Sequence, residues 1–273
     1  MLLARAQPLL GTVVSLQVHI DEGQVPRAER AMANVFATMA HIGQVMSAHR
    51  ASSDLGRLSR AEQGQVLTLD LETVRVLRAA QHWAAVSSGA FNPCRAAQTL
   101  ARAKRRPGMA IDATGSLSDI TLLSDTEVRM ANPVQLDLGG IAKGYAVDRA
   151  VEVLLAHGVQ DALVNAGGDL RTMGPHPWTI DVRHAHRTLM DGRKNSKLRV
   201  HQTALATSVS GPLNPEFLAS RAHQKLLWQS VTVQADTCMT ADVLTKWAMQ
   251  ASLLCPELKR VLRQHHGRMW RSR

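Results

Sequence analysis

Three stretches of the 273-residue chain bring reactive side chains next to glycines or onto one helical face. In the first, Val134-Gln-Leu-Asp-Leu-Gly-Gly-Ile-Ala-Lys143, an apolar run meets Gly139-Gly140 and a helix is predicted to begin at once. Glycines at such a junction let backbone N–H groups approach an anion, and the helix dipole points the same way. Lys143 in a first turn works against that dipole, and a bound phosphate would explain it. The spacing matches neither the dinucleotide fingerprint nor the Walker loop. A tight strand–helix turn with an exposed lysine fits it equally well. The second stretch, Ala162-Leu-Val-Asn-Ala-Gly-Gly-Asp169, ends a strand on turn-forming residues, and a hairpin turn is its simpler reading. In the third, Ser230 to Lys246, a strand leads into a helix capped by Asp236 or Thr237. Asp242, Thr245 and Lys246 then share one face. An Asp and a Thr oxygen there suit Mg²⁺. The alternative is an Asp242–Lys246 ion pair on a solvent face, worth about 0.3–0.5 kcal/mol.

The elements that must position these residues follow from periodicity. Val14, Leu16, Val18 and Ile20 alternate with polar residues, which predicts a half-buried strand. Met32, Phe36, Met39 and Met46 recur at helical spacing, and Ser47 to Gln65 has loop character. Further strands are predicted at Val66–Leu69, Glu127–Met130, Val134–Leu138, Ala162–Asn165, Trp178–Val182, Thr203–Thr207 and Ser230–Val233. Helices are predicted at Glu72–Ser87, Ile141–His157, Thr237–Ala251 and Pro256–Gln264. Strands and helices mix without a regular βαβ rhythm, so the expected class is α+β in one domain.

Composition narrows the function classes. Hydrophobic residues make up 45% and charged residues 20%, an ordinary globular mixture that excludes disordered, collagenous and disulfide-scaffold chains. The net charge of +10 is unevenly placed: Leu258 to Arg273 carries six basic residues and no acid, leaving +4 for residues 1–257. Residues 258–273 are therefore expected to be a solvated basic tail. Without interleaved aromatics this basicity points to no nucleic-acid partner. The twelve His show no zinc-protease spacing and Ser208 and Ser210 no nucleophile elbow. Cys94, Cys238 and Cys255 are scattered, the start lacks a signal-like apolar stretch, and the longest charge-free run is amphipathic. The expectation is a cytoplasmic protein with no membrane span.

Taken together, the motifs resemble the ApbE family of FAD:protein FMN transferases, from Leu10-Gly-Thr12 to about Met249. In order they are Ser53-Asp-Leu-Gly-Arg-Leu58, Ser88-Gly-Ala-Phe-Asn-Pro93, Leu136-Asp-Leu-Gly-Gly-Ile-Ala-Lys-Gly-Tyr-Ala-Val-Asp148, Val164-Asn-Ala-Gly-Gly-Asp169, Ala204-Leu-Ala-Thr-Ser208, Ser230-Val-Thr-Val233 and Met239-Thr-Ala-Asp242. The resemblance implies a single α+β domain, residues 1–257, of mixed, largely antiparallel sheets flanked by helices. It implies FAD as substrate and transfer of its FMN half, with Mg²⁺, to a Thr or Ser hydroxyl of a target flavoprotein, AMP leaving. Leu10, Ala90, Phe91, Asn92, Asp137 and Lys143 fall at FAD-contacting positions. The backbone carbonyl of Gly140 and the Asp242 carboxylate fall at metal positions, with Thr245 as a further oxygen; Asp242 is the expected catalytic residue.

Three departures stand beside the resemblance. Asn92 replaces the family's usual Asp. The His-x-Ile-Asp-Pro-x-Thr-Gly segment that precedes Ser-Val-Thr-Val in relatives is replaced by Phe217 to Trp228. Lys246 stands where relatives place a metal-binding Thr, four residues after the Asp. They open the alternative of an altered or non-catalytic FAD-binding relative.

Overall fold

The computed structural model describes residues 1–94, 115–182, 196–210, 228–252 and 254–272. These fall into two compact units, one drawn from 1–40, 143–210 and 227–273 and the other from 41–142.

The first unit is built on a seven-stranded sheet in the order β1-β2-β6-β7-β10-β11-β12. Its strands are β1 (Leu2–Leu9), β2 (Thr12–His19), β6 (Ala162–Ala166), β7 (Asp169–Met173), β10 (Ala204–Val209), β11 (Ser230–Ala235) and β12 (Arg268–Ser272). Every pairing is antiparallel. Alternation decides which face of β2 is covered, with Val14, Leu16 and Val18 fully buried, whereas β11 is buried along nearly its whole length. Helix α4 (Ala142–Ala156) buries Ala146, Val147, Ala150 and Leu154. Helix α5 (Cys238–Gln250) packs on β7, β10 and β11 and is buried along nearly its whole length. A two-stranded sheet of β8 (Trp178–Val182) and β9 (Ser196–Val200) completes the unit together with α6 (Pro256–Gln264). Helix α1 (Val25–Val45) places Ala28, Met32, Val35, Met39 and Ile42 on its buried face.

The second unit has a three-stranded antiparallel sheet, β3 (Val66–Thr68), β5 (Glu127–Met130) and β4 (Ile120–Leu122). Its helices among the described residues include α2 (Asp54–Leu58) and α3 (Leu71–Val86). The Ser53 hydroxyl caps α2 by accepting from the Gly56 N–H, and Asp70 caps α3 by accepting from the Glu72 N–H.

The α+β class and the antiparallel sheets agree with the sequence. Four details differ. Val134–Leu138 forms no strand; Leu58 and Pro93 carbonyls accept its Val134 and Asp137 N–H groups instead. The predicted 47–65 loop contains α2. Ser196–Val200 and Leu2–Leu9 are strands that the alternation did not reveal. The basic tail differs beyond its expected helix: Pro256–Gln264 is α6 as predicted, and residues 268–272 then form the edge strand β12, with Trp270 opposite Thr232 and Met269 opposite Val233. Leu258, Val261 and Leu262 are buried, which is why the segment docks despite its charge.

Candidate active site

The first unit's site starts from a close helix–helix approach. A Cβ on Gly144 would lie 2.5 Å from the Cys238 carbonyl oxygen, so only glycine lets α4 meet the start of α5. Asp148, one turn further along α4, fixes the junction. Its carboxylate accepts from the Cys238 N–H at 2.9 Å and the Met239 N–H at 2.8 Å, and from Arg171 at 2.8 Å. An anion at a helix N-terminus is stabilised by the free N–H groups and the dipole. Thr237 caps the same turn by accepting from the Thr240 N–H.

This junction aligns two charge pairs. Asp242 is fully buried; its Oδ2 accepts from the Gly144 N–H at 3.2 Å and its Oδ1 from the Lys246 ammonium at 2.8 Å. Lys246 Nζ also reaches Ser208 Oγ on β10 at 2.8 Å and Thr245 Oγ1 at 3.3 Å. The Thr245 hydroxyl donates to the Asp242 carbonyl at 2.7 Å and lies 2.6 Å from Ser208 Oγ. A hydroxyl has one proton, so Ser208 is the donor in that last contact. The second pair is Lys143 at the head of α4 and Asp169 at the start of β7, 2.7 Å apart. The turn before Asp169 is held by Asn165, whose side chain accepts from the Gly168 N–H at 2.8 Å. The Lys143 side chain is 30% exposed and that of Lys246 only 11%.

The four charges act on one another. Burial alone would raise the Asp242 pKa, but the Lys143 and Lys246 ammoniums and the Gly144 N–H hold its carboxyl below the usual carboxylate range. Asp169 goes the other way: burial and the Asp242 charge raise it more than Lys143 and Lys246 lower it. Neither buried thiol of the chain's described residues suits nucleophilic work. Burial pushes Cys94 up to about 11, and burial with the surrounding carboxylates raises Cys238 as well.

The Mg²⁺ implied by the resemblance does not fit these bonds. Both Asp242 oxygens are engaged, and both Thr245 lone pairs are taken by Ser208 and Lys246. An ammonium already stands among the oxygens that a cation would need, and it repels a divalent ion. Among the described residues no group of three or more His, Cys, Asp or Glu side chains is placed to hold a metal. The expected solvent-face alternative is corrected too: Asp242 and Lys246 do pair, but inside the protein.

The remaining expected residues divide between the units. Leu10 and Gly11 form the β1–β2 turn with φ of +54° and +70°, and a left-handed leucine is uncommon enough to mark a constrained position. A side chain on Gly167 would collide with Thr12, so this turn and the β6–β7 turn abut. In the second unit, Phe91 is buried and its N–H donates to Ser87 Oγ at 3.0 Å. Ala90 N–H donates to the Ser87 carbonyl, and Asn92 Oδ1 accepts from the Cys94 N–H at 3.0 Å. Asp137 N–H donates to the Pro93 carbonyl at 3.1 Å, so 90–93 and Asp137 lie together. Asp137 Oδ1 accepts from the Gly139 N–H at 2.7 Å, and Gly140 next to it is buried. The altered segment 217–227 lies outside the described residues.

The sequence profile of the ApbE family matches residues 10–212. This chain belongs to the ApbE family. Over 198 residues it is 32% identical to a FAD:protein FMN transferase of Rhodobacter capsulatus, covering 64% of this chain and 36% of that one. Over 215 residues it is 27% identical to a FAD:protein FMN transferase of Treponema pallidum (strain Nichols), covering 68% and 59%. The match thus spans about a third of the length of the first relative and three fifths of the second. The fold is that of the flavin transferase ApbE from Vibrio cholerae, with a TM-score of 0.82 at 20% identity over 99% of this chain and 93% of that one.

Within this ApbE fold, sequence reasoning missed Ser208, Asp169, Gly144 and Asp148 as site residues. All four lie inside the family motifs, Gly144 and Asp148 in Leu136–Asp148, Asp169 at the end of Val164–Asp169 and Ser208 at the end of Ala204–Ser208. Ser208 had been set aside because no nucleophile elbow surrounds it. Its partners Thr245 and Lys246 are 37 and 38 residues away, a separation that local spacing does not reveal.

Proposed function

We propose that the protein is a FAD:protein FMN transferase that moves the FMN half of FAD to a Thr or Ser hydroxyl of a target flavoprotein. Family membership supports the reaction, and the names of the two relatives support FAD as substrate. The observation that carries it for this chain is Lys143 at the head of α4: its side chain is 30% exposed, so its ammonium can meet a pyrophosphate, while Lys246 offsets the buried charge of Asp242. In the reaction the target oxygen bonds to the FMN phosphorus. The bond from that phosphorus to the bridging oxygen breaks, AMP leaves with the electron pair, and the hydroxyl proton passes to solvent. Such a transfer depends on positioning and charge neutralisation rather than on a protein nucleophile.

In this reading Lys143, the more exposed cation, contacts the pyrophosphate. Leu10, Ala90, Phe91, Asn92 and Asp137 contact FAD. Asp242, expected as catalytic and metal-binding, becomes a positioning residue that anchors Lys246. No step is assigned to Mg²⁺, to the Gly140 carbonyl or to Thr245 as metal ligands. Among the described residues no helix is long and apolar enough to cross a membrane; the proposed compartment is the cytoplasm. The experiment mixes the purified protein, FAD and flavoproteins from the same cell. A target mass gain equal to FMN, with AMP released in equal amount, supports the reading. FAD binding without modification of any competent target favours an altered FAD-binding relative, a reading supported by the Lys246 substitution.

A further inference from the structure

We propose that Lys246 is the built-in cation of this site, so that FAD is bound without a divalent metal. The inference rests on the transferase reading above, because it takes FAD as the ligand. It starts from what a lysine on α5 would do unaided. A side chain of that length ordinarily carries its ammonium out to water. Lys246 does the opposite: its side chain is 11% exposed and its ammonium lies within 2.8 Å of Asp242 and Ser208 and 3.3 Å of Thr245. These three oxygens come from two elements, β10 and α5, and all three accept from the one nitrogen. The Ser208 hydroxyl donates to Thr245, and the Thr245 hydroxyl donates to the main-chain carbonyl of Asp242. Each oxygen therefore turns a lone pair toward the ammonium, which can only donate. Asp242 is charged and fully buried, so a cation must stay with it. The site carries that cation covalently instead of taking it from solution.

A lysine that only holds α5 together would leave metal and FAD behaviour untouched, and that separates the two roles. FAD affinity is measured by flavin fluorescence with EDTA and again with millimolar Mg²⁺. Metal binding is read separately from the free Mn²⁺ signal in electron paramagnetic resonance, corrected for Mn²⁺ held by FAD in solution. For the wild type the FAD affinity should agree within about twofold between the two conditions, a difference well below a lost hydrogen bond. Mn²⁺ should remain free. Lys246→Thr should bind FAD about tenfold or more weakly in EDTA, because the buried Asp242 charge is then left uncompensated in the site that takes a pyrophosphate, and regain affinity when Mg²⁺ is added. Lys246→Met should be weakened equally in both conditions. Wild-type FAD binding that needs Mg²⁺, or stoichiometric Mn²⁺ binding by the wild type with FAD, overturns the inference and leaves the transferase reading standing. So does a Lys246→Thr variant that binds FAD in EDTA as tightly as the wild type. If a variant does not fold, the wild-type measurements decide alone. A folded wild type that binds no FAD in either condition sinks the transferase reading itself.

Discussion

The two lysine–aspartate pairs of the first unit share a chemistry and differ in setting. Lys143 and Asp169 join a helix start to a strand start, across 26 residues of sequence, with the lysine 30% exposed. Lys246 and Asp242 lie one helical turn apart on α5, and the carboxylate has no exposed surface. The i, i+4 pair would be worth little on a surface. In the interior neither charge can be left alone, because each has given up its water. Exposure thus assigns different work: the first lysine can meet a ligand directly, and the second acts by offsetting the buried Asp242 charge.

Breaking the buried pair should have the largest effect. Asp242→Ala leaves an ammonium without its counter-charge and should cost about 3–5 kcal/mol of stability, measured by urea unfolding. Replacing both partners, Asp242→Ala with Lys246→Met, should recover most of that loss; a double variant as unstable as the single one would show that Asp242 acts through Gly144 rather than through Lys246. The Lys143 pair should respond differently. Lys143→Ala should cost about 1.5–3 kcal/mol of FAD binding by titration, and it should lower the melt less than Asp242→Ala does, because Asp169 is buried but its raised pKa lets it take up a proton. Equal affinities of the wild type for FAD and riboflavin would remove Lys143 from the pyrophosphate.

Gly144→Ala tests the junction both pairs depend on. The new methyl meets backbone, not a flexible side chain, so the helices must part at a cost of about 1–3 kcal/mol. The Gly144 N–H bond to Asp242 should weaken with them. A fully stable variant would mean that the approach of α4 to α5 is looser than described.

The smallest effect is in pH dependence, where the two aspartates should have opposite signs. Asp169 is raised, so its contribution is present below the ordinary carboxylate pKa and lost as pH rises through its folded value. Asp242 is lowered, so its contribution is present above the ordinary value and lost as pH falls through its folded value. Unfolding is measured between about pH 3 and 7, the span over which carboxylates ionise. The stability difference between wild type and Asp169→Asn should shrink with rising pH, and that for Asp242→Asn should grow. Slopes of the same sign would show that the pairs do not differ in the way their burial implies.

What the chain determined by itself is what repeats at short range. The alternation of Val14, Leu16 and Val18 and the helical spacing of Met32, Phe36 and Met39 identify β2 and α1, since burying one face imposes those periods. The ordered motifs were enough for the family, and the four-residue interval was enough to put Asp242 and Lys246 on one face. The same periodicity could not say whether that face met water or the sheet. Only packing on β7, β10 and β11 decided it, turning a surface pair into a buried cluster. The tail shows the converse: its charge was visible in composition, but its place as strand β12 depends on hydrogen bonds to β11 more than thirty residues earlier. Ser208 and Asp169 joined the site in the same way. A side chain's chemistry is set by its own atoms, whereas its solvent exposure and its partners belong to whatever the fold brings beside it.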